Sequence, residues 1–209
     1  MKDFTKDYIL EELNIALNPN DPRHNLPPSL PSTAIVLDVG CGAGQSLIAA
    51  YPDRTSFGVD IDFESLQFGK TLSDRTCLVN SVAEALPFKD NHFDLVFSRV
   101  CLPYTNIPAS LREMRRVLKA NGTVWLSVHP FSIAWEQAKR SSSKGKIYFA
   151  YILLNSLIFH LFQREVSFLG KRYETFQTER GIRRALQQSG FDDIQIDRSR
   201  FFLVTARAR

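Results

Sequence analysis

The sequence predicts an α/β protein: a mainly parallel, seven-stranded sheet with helices on both faces and a helical insertion after the fifth strand. Three observations carry this. Short apolar runs alternate with stretches of helical period from residue 35 to residue 128. The strands read as apolar runs, as strands covered on both faces do. The first run ends in a turn with glycine at 40, 42 and 44, a tight bend suited to joining a parallel strand to its helix.

The elements follow in order. Residues 5–17 place Ile9, Leu13 and Leu17 at helical spacing, a covering helix with Glu11 and Glu12 off the stripe. Five prolines in residues 18–32 deny helix and ladder alike, so this is a linker or an ordered lead-in. Ile35–Val39 is the first strand and Leu47–Ala50 a short helix; Ser56–Asp60 and Phe63–Leu72 are the next strand and helix. Cys77–Val79 and Phe93–Ser98 are strands three and four. Pro108 opens a helix with Leu111, Met114, Val117 and Leu118 on one face, closed by Asn121-Gly122, and Thr123–Val128 is strand five. Thr178 caps a helix running to Gly190, and Ile194–Ile196 and Phe201–Ala206 close the sheet.

Residues 131–178 interrupt the alternation. Their apolar stretch Ile147–Phe162 is shorter than the ~20 residues of a bilayer span. Its narrow polar stripe, Ser156, His160 and Gln163, suits a helix buried on most of its surface. Three units result: a helix and Pro-rich lead-in (1–32), a core (33–130 with 179–209) and an apolar insertion (131–178).

Composition narrows the function classes. A chain of 209 residues with 44% hydrophobic and 23% charged residues excludes a disordered or collagen-like protein. At that length about 70% of the unfolded surface is buried, with no need of a disulfide or metal staple. Three scattered cysteines without a C-x-x-C pair argue against a disulfide scaffold or zinc ribbon and for a reducing compartment. No metal-ligand constellation or Ser-His-Asp triad is visible. The net charge of +4 is too mild to indicate nucleic acid. Met1–Tyr8 carries two lysines, two aspartates and no apolar run, so a cytoplasmic location is expected.

The chemistry concentrates at the Gly-rich turn. Gly40, Gly42 and Gly44 let backbone approach a ligand where a Cβ would intrude. Asp60 ends the second strand, 20 residues after Gly40, where a carboxylate can accept both hydroxyls of a ribose. A dinucleotide fold wants G-x-G-x-x-G, and the sixth place here is Gln45.

Four ordered segments complete the pattern: IVLDVGCGAG (35–44), GVDID (58–62), AEALPFKDNHFDLV (83–96) and LREMRRVLKANGT (111–123). Together they resemble the class I S-adenosylmethionine-dependent methyltransferases, in the small-molecule style, over residues 33–130 and less specifically 179–209. The resemblance implies a Rossmann-like seven-stranded sheet and S-adenosylmethionine as cofactor, with S-adenosylhomocysteine as product. It places Asp38 and Gly40 beside the methionine moiety, Gly42 and Gly44 at the close backbone approach, Asp60 on the ribose and Ile61 against the adenine. Val82 and Ala83 fall on the adenine edge, with Val82 where the family has an aspartate. Ser98 and Arg99 fall near the methionine carboxylate or the mouth of the acceptor site.

A general base matters only if the acceptor must lose a proton, and the candidates are His129, ending strand five, and Tyr104, after strand four. Cys41 reads as a small turn residue, and Arg112, Arg115, Arg116 and Lys119 as a solvated helix face. The expected acceptor is a small or lipid-like molecule under an apolar lid. The alternatives are a protein or RNA methyltransferase, or a non-catalytic partner subunit that meets another protein or a membrane surface through 147–162. The acceptor atom and the oligomeric state are not legible in the sequence.

Overall fold

The computed structural model describes residues 4–139, 143–168 and 173–209. Seven strands, β1 (Val36–Val39), β2 (Ser56–Asp60), β3 (Thr76–Asn80), β4 (Phe93–Arg99), β5 (Leu118–Ser127), β6 (Phe191–Asp197) and β7 (Leu203–Ala208), form one sheet in the order β3-β2-β1-β4-β5-β7-β6. Strands β1 to β5 are parallel, and β7 runs antiparallel between β5 and β6. The strand order reverses between β1 and β4, which opens a crevice at their carboxyl ends.

The pleat sends alternate residues to opposite faces, and this sorts the core. Leu37 and Val39 of β1, Val96 of β4 and Leu126 of β5 pack with Leu111 and Met114 of α4 (Ile107–Val117) and Ile182 and Leu186 of α7 (Glu179–Gln188). Val36, Leu95, Phe97 and Trp125 face the other way, onto Leu47 of α2 (Gln45–Ala50) and Leu66 of α3 (Phe63–Leu72). Asp38 and Arg99 share the parity of Val36 and Phe97, so both belong to this second face.

The N-terminal helix α1 (Phe4–Leu17) lies against α2 and α3. Its buried positions are Ile9, Ile15 and Ala16, whereas Leu17 is 56% exposed, so the apolar stripe is rotated from the expected one. The reason is polar: Glu12 turns inward to pair with Arg99 at the tip of β4. The Pro-rich segment is an ordered lead-in. Tyr51 donates to the Pro28 carbonyl at 2.8 Å, and Asn25 Nδ2 donates to Ser127 Oγ at 3.1 Å.

The insertion departs most from expectation. It holds α5 (Phe131–Lys139) and α6 (Ser143–Phe162), the latter 20 residues long where the sequence predicts an apolar stretch of 16. By length and composition, Gly145–Phe162 suffices to cross a membrane. The helix is also not buried on most of its surface: only 22% of that window is buried. Its orientation is inverted. Asn155, Ser156 and His160 face the protein, where Ser156 Oγ accepts from Phe176 N at 3.0 Å and His160 Nδ1 meets Thr178 Oγ1 at 2.9 Å. Ile147, Leu154, Leu157, Leu161 and Phe162 face outward, each about half exposed or more. Inward-facing apolar anchors are few, chiefly Ile152 and Phe159.

Candidate active site

The Gly-rich turn is built around Asp60. Its Oδ2 accepts from Gly42 N at 2.7 Å and its Oδ1 from Asp62 N at 2.9 Å, so one carboxylate joins the turn after β1 to the start of α3. Asp62 in turn caps α3, accepting from Glu64 N and Ser65 N. Gly40 (φ 80°) has no room for a side chain, since a Cβ there would fall 2.1 Å from Cys101 Cβ. Gly42 (φ 55°) also needs the left-handed region, but around it only the Gln45 amide comes within 4 Å of an added Cβ.

A cavity of about 370 Å³ opens at the carboxyl ends of β1 and β2, within the usual size of a small-ligand site. Gly40, Asp60, Ile61, Val82 and Ala83 line it, half of the ten expected cofactor residues. Ile61 is 72% exposed and Val82 46% exposed, apolar side chains turned into an open slot that suits a flat ring.

The other five lie elsewhere. Gly42 and Gly44 shape the turn beneath the cavity without lining it. Asp38 sits just behind, 2% exposed, with Oδ1 unpartnered among the described residues. Burial pushes its carboxyl up to about 8, with Arg99 pulling it down and Asp60 pushing it further up. Ser98 is fully buried and lines neither this cavity nor the next, because the pleat turns it onto the α4 and α7 face with its neighbour Leu126. Arg99 lines a second cavity, of about 430 Å³, between the tips of β4 and β5 and the start of β7.

Val100 divides the two cavities. Its φ of 68° is a left-handed conformation that a β-branched residue rarely accepts, held by its N–H donating to Ser127 O at 2.9 Å. The kink directs Arg99 to one cavity and Cys101 to the other. Across this divide the two candidate proton acceptors meet. The Tyr104 ring, on the first cavity, stands perpendicular to the His129 ring, on the second, with centroids 5.6 Å apart. Burial holds the His129 pKa below its ordinary value, which favours a neutral imidazole able to take up a proton.

The return of the insertion is bonded to the site's edge. Thr175 N donates to Pro103 O at 3.1 Å and Gln177 N to His129 O at 2.8 Å, and Tyr173 lines the first cavity. Tyr173 carried no sequence signal, lying outside any periodic run. Glu84, Cys101 and Thr105 also line this cavity; Glu84 stands inside a quoted segment and could have been found there.

Other residues are structural. Burial pushes the Cys41 thiol well above its ordinary pKa, which disfavours the nucleophilic thiolate. Arg116 is more than a solvated charge: it pairs with Glu113 and Asp90 and donates to the carbonyls of Leu86 and Phe88, fastening the L-P-F loop to α4. Among the described residues no cluster of His, Cys, Asp and Glu could hold a metal ion.

Residues 37–126 match the methyltransferase domain family. A demethylmenaquinone methyltransferase from Roseiflexus castenholzii is 37% identical over 100 residues, 45% of this chain and 42% of that protein. The human mitochondrial arginine-hydroxylase NDUFAF5 is 33% identical over 121 residues, 56% of this chain and 33% of that one. This chain spans less than half the length of either relative. Among solved structures, a Haloferax volcanii methyltransferase in complex with the Trm112 methyltransferase activator superposes with a TM-score of 0.64 at 17% identity, covering 98% of this chain and 93% of that one. At that identity the likeness establishes the fold.

Proposed function

We infer from its methyltransferase domain and its class I S-adenosylmethionine-dependent methyltransferase fold that this chain transfers a methyl group from S-adenosylmethionine to a small or lipid-like acceptor. The observation that carries the cofactor assignment is the apolar slot of Ile61, Val82 and Ala83 directly beside the Asp60 carboxylate. The residues fit the cofactor's three chemistries. Asp60 retains lone pairs for ribose hydroxyls beyond its two backbone donors. The slot suits an adenine, and the unpartnered Asp38 oxygen behind Gly40 suits an ammonium group.

S-adenosylmethionine supplies a methyl group already activated on a sulfonium. What remains for the chain is alignment, exclusion of water and, for a hydroxyl or amine acceptor, removal of a proton. Tyr104 and His129 stand between the two cavities for that last task. The return segment is fastened beside them by its bonds to Pro103 O and His129 O. The small-molecule acceptor draws support from the relative named for demethylmenaquinone.

The test is binding of S-adenosylhomocysteine followed by mass-spectrometric detection of methylated product from a small-molecule panel. Because one relative is named for a hydroxylation, product mass distinguishes the activities. A second reading rests on one observation: α6 turns its apolar face outward. That face suits a partner protein or a membrane surface, and the chain then acts in an assembly.

A further inference from the structure

The second cavity differs in chemistry from the first. Four arginines line it, Arg23, Arg99, Arg198 and Arg200, and no carboxylate does. We propose that it binds an acid group of the acceptor, a carboxylate or a phosphate ester, through Arg99, Arg198 and Arg200, with the acceptor's apolar body against Phe201 and Phe202. The proposal rests on the methyltransferase reading for the role of the ligand, and it names the ligand's chemical class.

The acids that neutralise these arginines stand outside the cavity lining. Glu11 and Asp21 hold Arg23, which leaves it the least available of the four. Glu12 holds one nitrogen of Arg99 in a pair mostly shielded from solvent, whereas Glu179 lies 3.5 Å from Arg198 with both side chains about half exposed. Arg200 has no acid within 4 Å among the described residues; its Nη2 donates to the backbone carbonyls of Asp21 and Pro22.

Two of the guanidinium groups are held by stacking. Arg198 lies 4.8 Å from the Phe202 ring centroid and Arg200 5.0 Å from that of Phe201. A stacked guanidinium keeps its N–H edge for a ligand, and that edge matches the two oxygens of a carboxylate or phosphate. Val100, Val128, Pro130, Phe201 and Phe202 supply the apolar part of the same wall. His129 belongs to this lining and touches Tyr104 on the cofactor cavity. An acceptor anchored by its acid end therefore has its other end one ring pair from the expected methyl donor.

The test titrates benzoate, phenyl phosphate and neutral benzamide into the full chain, with and without saturating S-adenosylhomocysteine. Wild type is compared with Arg198→Gln, Arg200→Gln and the charge-retaining Arg200→Lys. At least one acid is expected to bind about tenfold or more tightly than benzamide, as charge-assisted hydrogen bonds require. The preferred acid tells carboxylate from phosphate. Each Gln variant should lose most of that preference and Arg200→Lys should keep part of it, while S-adenosylhomocysteine affinity stays within about twofold. Among the described residues Arg198 donates to no backbone carbonyl, so its variant separates lost recognition from a loosened lead-in. Equal binding of benzamide, indifference to both Gln variants, or displacement of the acid by S-adenosylhomocysteine would each overturn the proposal; the last would assign the arginines to the cofactor's own carboxylate. Arginine-dependent acid binding in a wild type that ignores S-adenosylhomocysteine would instead refute the methyltransferase reading and leave the acid site standing.

Discussion

Two aspartates 22 residues apart on adjacent strands do opposite jobs because their surroundings differ. Asp60 accepts two backbone N–H groups at the edge of the cavity, whereas Asp38 is buried with an unpartnered oxygen and titrates near 8. At pH 7 the Asp38 carboxyl is mostly protonated, and a cofactor ammonium placed against it favours the carboxylate. Binding of S-adenosylhomocysteine at pH 7 should therefore release a proton. Calorimetry in buffers of different ionisation enthalpy reads this directly, and a slope of zero would contradict it. The sign for stability follows from a folded pKa raised above the unfolded value of 3.8. The contribution is fully present below the unfolded pKa and is lost as the pH rises through about 8. Asp60→Ala removes charged hydrogen bonds to ribose worth about 1.5–3 kcal/mol, a roughly 10–150-fold loss of cofactor affinity, and loosens the turn at Gly42 as well. His129 carries the opposite shift. If it takes the acceptor's proton, turnover stays flat above pH 6.5 and falls as the pH drops through its lowered pKa, and His129→Asn removes that acid limb.

At the scale of elements, the sheet and its helices were legible and the insertion was not. β2 and α3 match their expected limits, because apolar runs and an Asp cap are local signals. β6 extends beyond the expected Ile194–Ile196 because it is an edge strand carrying Asp192, Asp193 and Asp197, and edge strands tolerate the charges that hide them from an apolar count. α6 is the inverse of its sequence pattern, because a narrow polar stripe marks a buried helix only when its partner is apolar. Here the partner is the backbone of residues 174–178, which needs hydrogen bonds, so the polar stripe faces in. Phe159 ties α6 into the main core, so point changes on its outward face are the clean probe of that face. Leu154→Glu with Leu157→Glu should leave thermal stability almost unchanged and abolish any oligomer or vesicle association. Phe159→Ala should cost about 3–5 kcal/mol in denaturant unfolding. Glu165, just after α6 in the insertion, accepts from Ile107 N at the start of α4, and burial pushes its carboxyl up to about 8. By the same sign rule its contribution fades as the pH rises through 8, and Glu165→Gln should flatten that part of the stability profile.

For the whole molecule, each site residue owes its position to the topology. The reversal of strand order between β1 and β4 opens the crevice, the Gly turn and Asp60 form one wall, and the kink at Val100 splits the space into a slot and a basic cavity. The slot was legible because its residues sit in short ordered motifs. The basic cavity was not, because Arg23, Arg99 and Arg198 come from three distant segments with no spacing to link them. The central claim is that the slot beside Asp60 holds S-adenosylmethionine. Calorimetric titration of the wild-type chain with S-adenosylhomocysteine and, separately, with NADH tests it most directly. Saturable binding of S-adenosylhomocysteine, lost in Asp60→Ala, with no heat from NADH, is the predicted result. Tight binding of NADH with no signal from S-adenosylhomocysteine would contradict the account.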